Sequence, residues 1–177
     1  YTLYKTNPYE FAAIVIRQLL SGLMALHDAG YIHRDIDPSN IMITANRKIK
    51  LIDFGIAKHL TTLATQDKHL TSAGQFIGKA QYAAPELVLG DVLHQDRTTD
   101  IYAVGIMFYQ LITGRLPFDG STTSVISAQL KQKIDFSPIK NGQARRIIAR
   151  ATEKEQQKRY GSVAEARVDI ENSDPTA

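Results

Sequence analysis

His33-Arg34-Asp35-Ile36-Asp37-Pro38-Ser39-Asn40, with Asp53-Phe54-Gly55 after it, is the stretch on which the reading of the whole chain turns. Asp35 and Asn40 stand five residues apart in a loop-like segment. The short apolar runs Ile41-Met42-Ile43 and Ile49-Lys50-Leu51-Ile52 surround the turn-prone Ala45-Asn46-Arg47, which predicts a hairpin with Asn40 at one end and Asp53 at the other. Pairing those runs draws the two side chains together. Asp35 beside them can orient a hydroxyl and accept its proton. The Asn40 amide and the Asp53 carboxylate are hard oxygen donors of the kind magnesium takes, with coordination places left for phosphate and water. Such a constellation suits phosphoryl transfer.

The order H-R-D-x-x-x-x-N, then D-F-G, then Ala84-Pro85-Glu86 resembles the signature set of eukaryotic-type protein kinases. Any one of these tripeptides arises by chance; three in the family's order and spacing are far more specific. Pro38 after Asp37, and the run Leu111-Ile112-Thr113-Gly114-Arg115-Leu116-Pro117-Phe118, are similar to bacterial Ser/Thr kinases in particular. The resemblance implies a mainly α fold over residues 1–177, the helical C-terminal lobe of the catalytic domain. Within it fall a catalytic loop at 33–40, an activation segment at 53–86 and a central buried helix at about 98–113. It implies Asp35 as base and Asn40 and Asp53 as ligands of Mg2+ and thereby of ATP, with His33, Arg34 and Gly55 in support. Asp100, in D-x-x-x-x-G with Gly105, would hold the catalytic loop through backbone hydrogen bonds. Arg159 would pair with Glu86 of the A-P-E motif. Nothing before the catalytic loop resembles a Gly-rich nucleotide loop or a V-A-I-K lysine. The N-terminal lobe that carries them in the family is expected as a missing partner, and residues 1–177 alone are expected to transfer phosphate negligibly.

Composition agrees with a folded domain. The chain has 177 residues, 44% hydrophobic and 22% charged, enough for one substantial core. It has no cysteine, which excludes disulfides and thiolate metal sites. The net charge of +3 is mild and the lysines and arginines are dispersed, so no nucleic-acid partner is expected. No signal peptide is visible. The longest apolar stretch, Ile101 to Tyr109, is far shorter than the ~20 residues of a membrane span, so no membrane segment is expected and a cytoplasmic location is.

Helical signals run along much of the chain. Asn7-Pro8 marks a start, and Phe11, Val15, Leu19, Leu23 and Leu26 recur at helical spacing until Asp28-Ala29-Gly30. Thr98-Thr99-Asp100 predicts the cap of a second helix, apolar nearly all round, ending at Thr113 before Gly114. Weaker helices are expected at about Thr122–Lys133, Gln143–Ala151 and Val163–Glu171. From Gly55 to Gln81 periodicity is lost, and within this stretch Thr71 and Ser72 are the leading candidate phosphosites, ahead of Thr61, Thr62 and Thr65. A phosphate there could pair with Arg34. The basic series Lys140, Arg145, Arg146, Arg150, Lys154 and Lys158 reads as a solvated face.

Two positions depart from the family pattern. Ser/Thr kinases carry lysine two residues after the catalytic aspartate, where this chain has Asp37. A carboxylate there adds negative charge beside Asp35, Asp53 and a nucleotide. In Gly78-Lys79-Ala80-Gln81-Tyr82, Lys79 replaces the family's threonine. One position has lost a lysine and its usual neighbour has gained one. The expectation is a compensated swap: Lys79 pairs with Asp37 and supplies its ammonium to Asp35 or the phosphate, making Asp35, Lys79 and Asp37 the catalytic set. The competing reading is a pseudokinase, a regulatory binding module that keeps the fold without efficient transfer.

Overall fold

The computed structural model describes residues 7–46, 48–53, 58–59 and 79–172. Phe54, Gly55, the candidate phosphosites Thr61, Thr62, Thr65, Thr71 and Ser72, and Gly78 lie outside these residues. Helix α1 (Pro8–Asp28) starts where Asn7 accepts a hydrogen bond from the Glu10 amide, and Pro8 occupies the first turn. It leads through Gly30, at φ 82°, into β1 (Tyr31–Ile32) and the loop that follows. A tight 3-10 turn, Pro38–Asn40, opens onto the antiparallel hairpin of β2 (Ile41–Ile43) and β3 (Ile49–Leu51). Strand β4 (Lys58–His59) pairs with β1 within the stretch read as aperiodic.

The remaining described elements are helical. The short α2 (Pro85–Val88) precedes α3 (Arg97–Thr113), α4 (Thr122–Lys131), α5 (Gly142–Ala151) and α6 (Val163–Glu171). Helix α3 is capped by Asp96, two residues ahead of the Thr98-Thr99-Asp100 run. Asp96 accepts from the Thr98 amide, and Thr99 answers by accepting from the Asp96 amide, a reciprocal capping box. Asp100 is thereby freed from capping. Gly114, at φ 73°, ends the helix.

The core is built where α1 packs on α3, α6 and β3, and α3 packs on α5. Ile16, Leu19, Leu20 and Leu23 of α1 meet Ile101, Tyr102, Ile106 and Phe108 of α3, all essentially buried. Each such side chain contributes roughly 1.5–3 kcal/mol through burial. Helix α1 bears on the expectation that no segment spans a membrane. By length and mean hydropathy (1.4) it is apolar enough to cross a membrane, which Ile101 to Tyr109 is not. Its buried face is nonetheless engaged with α3 and α6, as in a core helix. Gly105 lets α3 and α5 approach closely: a Cβ there would lie 2.6 Å from Thr152 Cγ2 and 2.9 Å from Ala151 Cβ.

Candidate active site

The loop between β1 and the 3-10 turn is held from below by Asp100. One carboxylate oxygen accepts from the Arg34 amide (2.8 Å), and the other from the His33 amide (2.8 Å) and His27 Nε2 (2.8 Å). Asp100 and His33 are buried, so these bonds are shielded from water. Arg34 takes φ 68°, a left-handed conformation that a side chain adopts only when its surroundings insist. Its guanidinium donates to Gln95 Oε1 (3.1 Å), and burial lowers its pKa against the opposing charge of Asp100.

Above this support the polar groups converge. Asn40 Nδ2 donates to both the backbone carbonyl and the carboxylate of Asp35, each at 2.8 Å. Two acceptors on one side fix which way the amide points, so Asn40 presents its oxygen away from Asp35. Asp53 is brought alongside by the hairpin register: Ile41 faces Leu51, and the Ile52 amide donates to the Asn40 carbonyl (2.9 Å). Asp53 is exposed and left-handed, at φ 61°. The paired hairpin thus carries Asn40 just before one strand and Asp53 just past the other, with the Asp35 carboxylate bonded to the Asn40 amide. Hard donors at one mouth fit magnesium by their chemistry.

Asp37 and Lys79 meet directly. Lys79 Nζ lies 2.7 Å from Asp37 Oδ1 and 2.7 Å from Ser39 Oγ. The Asp37 side chain is 1% exposed and that of Lys79 is 49% exposed. Burial alone would raise the Asp37 pKa. The hydrogen bonds from Lys79 and Ser39, together with the lysine charge, outweigh it and leave the carboxyl below its usual range. Asp37 has a second task that lysine could not perform, because it caps the Pro38–Asn40 turn by accepting from the Ser39 amide (2.6 Å). Asp35 and Lys79 face one cleft, together with Tyr82, Ala83, Leu87 and Ala103.

At the far end of residues 79–86, Glu86 and Arg159 form a buried two-pronged pair at 2.8 and 3.0 Å. Arg159 also donates to the carbonyls of Thr98, Glu153 and Lys154, which occupies all five guanidinium N–H groups. Thr99 adds a bond to Glu86 (2.8 Å).

Lys154 departs from the reading as part of a solvated face. It is partly buried, bonds the Tyr102 hydroxyl (2.8 Å) and lies over the rings of Tyr102 and Phe118. Its pKa falls to about 8, through burial first and the Arg159 charge second. Arg150, from the same basic series, stacks 4.2 Å from the centre of the Tyr160 ring and pairs with Glu165. Sequence spacing had no means of showing either aromatic partner.

The family model described as protein kinase domain matches residues 5–168. The chain is 38% identical over 156 residues to serine/threonine-protein kinases drp72 of Corynebacterium efficiens, covering 86% of this chain and 28% of that protein. It is 32% identical over 164 residues to the probable serine/threonine-protein kinase PknB of Lactococcus lactis (90% and 25% covered). It is similarly 32% identical over 161 residues to PknB of Mycobacterium tuberculosis (88% and 25% covered). The chain thus spans about a quarter of the length of these relatives.

Proposed function

This chain belongs to the protein kinase family, on its bacterial Ser/Thr side, and we propose that it is the C-terminal lobe of an enzyme that moves the ATP γ-phosphate to a protein serine or threonine. The observation that carries the reading is the Asn40 amide clamped across the carbonyl and carboxylate of Asp35. In this reading the clamp would direct a proton acceptor and a metal-binding oxygen toward one mouth.

In the proposed reaction the acceptor hydroxyl oxygen forms a bond to the γ-phosphorus. The bond from phosphorus to the bridging oxygen breaks, ADP leaves, and the hydroxyl proton passes to Asp35. Asn40 and Asp53 would hold magnesium, which when bound neutralises phosphate charge. Asp100 and His33 hold the backbone beneath Asp35, and Arg159 with Glu86 anchors the end of the activation segment. Arg34 would pair with a phosphate carried on Thr71 or Ser72. The supply of ATP puts the reaction in the cytoplasm. The acceptor is a protein, and the nucleotide cleft is completed by the N-terminal lobe, without which residues 1–177 serve at most as a binding scaffold.

Lys79 is the unusual member. Two of its three N–H donors are engaged among the described residues, by Asp37 and Ser39. The half-exposed ammonium cancels the Asp37 charge and leaves a donor for a phosphate oxygen. Asp37 is also what favours the second reading, a pseudokinase, because an extra carboxylate beside Asp35 opposes binding of a polyphosphate.

One experiment separates the two. Full-length protein is incubated with magnesium and labelled ATP, as wild type and as Asp35→Asn. Sustained transfer that the substitution abolishes supports the kinase; binding without transfer supports the pseudokinase.

A further inference from the structure

A hydrogen-bonded line crosses the core beneath the cleft without touching the catalytic loop. Lys154 Nζ donates to the Tyr102 hydroxyl (2.8 Å), which donates to Gln129 Oε1 (2.5 Å). Gln129 Nε2 then donates to the carbonyls of Ala80 (3.1 Å) and Gln81 (2.8 Å). The direction of the line is forced. Two carbonyls can be met only by the amide nitrogen, so the amide oxygen must face Tyr102 and accept. The Tyr102 hydroxyl has then spent its proton and must accept from Lys154.

Each link is buried or nearly so. Gln129 is 0% exposed and so is Tyr102. A fully buried glutamine is uncommon and requires partners for its polar atoms. Here those partners are two backbone carbonyls almost fifty residues away. The carbonyls belong to the turn in which the Tyr82 amide bonds Lys79 and the Ala83 amide bonds Ala80. Lys79, Tyr82 and Ala83 in turn line the cleft that contains Asp35. An acceptor that enters this cleft to bring its hydroxyl to Asp35 therefore meets residues of this turn.

We propose that Gln129, oriented by Tyr102 and Lys154, is a positioning residue that fixes the Lys79–Ala83 turn and thereby sets the fit of the acceptor polypeptide. The proposal rests on the kinase reading and deepens it. Helix α4, which carries Gln129, is a specificity element although Gln129 itself touches no substrate.

The test uses the full-length protein and a mixed serine/threonine peptide library. Gln129→Met removes both ends of the link at similar volume; Tyr102→Phe and Lys154→Met remove the upstream links more gently. The expected result is an acceptor-peptide KM raised about tenfold in Gln129→Met, with kcat and the KM for ATP near wild type. Tyr102→Phe and Lys154→Met raise it about threefold, and combining either with Gln129→Met adds nothing further. Amide hydrogen exchange at Tyr82 and Ala83 should speed up in all three. An unchanged acceptor KM, equal changes in both KM values, or full additivity would overturn the proposal. Unchanged exchange in Gln129→Met would overturn it even in a protein that phosphorylates nothing. Absence of transfer by wild type, with exchange still sensitive to Gln129, would overturn the kinase reading and the acceptor role while upholding the mechanical link.

Discussion

Glu86 with Arg159 and Asp37 with Lys79 tie down the two ends of the same segment, and they do so to opposite plans. The first pair has side chains 6% and 0% exposed, meets through two parallel bonds and leaves no guanidinium donor unused. The second shares one buried carboxylate oxygen among Lys79, the Ser39 hydroxyl and the Ser39 amide, while its lysine stands half in water. A sealed, saturated pair can only hold. A half-open one keeps its ammonium in contact with solvent. Under the proposed function that difference becomes one between anchorage and chemistry, within eight residues of chain.

The comparison is broken most severely by removing one partner of the sealed pair. Arg159→Met should destabilise the full-length protein by roughly 3–5 kcal/mol, because Glu86 is left buried and unpaired. Chemical denaturation measures it; a loss below 1 kcal/mol would erase the distinction. Lys79→Met should cost less, about 1–3 kcal/mol, because Asp37 is left buried but keeps both bonds from Ser39, while lowering peptide phosphorylation about tenfold. Asp37→Lys should harm activity alone and recover it with Lys79→Thr. Simple additivity of the two substitutions would show that they are independent.

Acidity sharpens the contrast further. Asp37 has a folded-state pKa below its ordinary 3.8, so its pairing contributes fully above that value and fades only as pH falls through the lower one. The stability gap between wild type and Asp37→Asn should therefore stay constant through neutral pH and close below about pH 4. The smallest effect concerns Lys154. Its pKa is depressed from 10.5 to about 8, so between these values the unfolded chain binds more protons and raising pH favours the fold. Wild type should gain stability relative to Lys154→Met from about pH 8 to pH 10; a gap that is flat over this range would argue against a buried ammonium.

The sequence was most readable where residues close in the chain do the work. Asn7-Pro8 and Gly114 bound their helices because capping is local, and the hairpin followed from two apolar runs around one turn. Lys79 and Asp37 could be matched across the chain only because both depart from a family pattern at once. Asp96 does not stand out as the cap of α3, because Thr98, Thr99 and Asp100 offer three other capping residues in succession. The pairing of β4 with β1 left no signal in two residues. The line from Lys154 through Tyr102 to Gln129 was invisible, since its members are 25 or more residues apart and none is an unusual residue where it stands. Thr71 and Ser72 fall outside the described residues, so the loop phosphorylation expected from the sequence stays a proposal.

Gly105 gives the two anchors a common dependency. Its missing methyl sets how near α5 comes to α3, and the chain leaving α5 at Thr152 delivers both Lys154 and Arg159 within the next seven residues. One hydrogen atom on a helix thus meters the reach of two cations, one toward Tyr102 and the link to Gln129, the other toward Glu86. An alanine there would touch neither cation, yet it would shift both of them together.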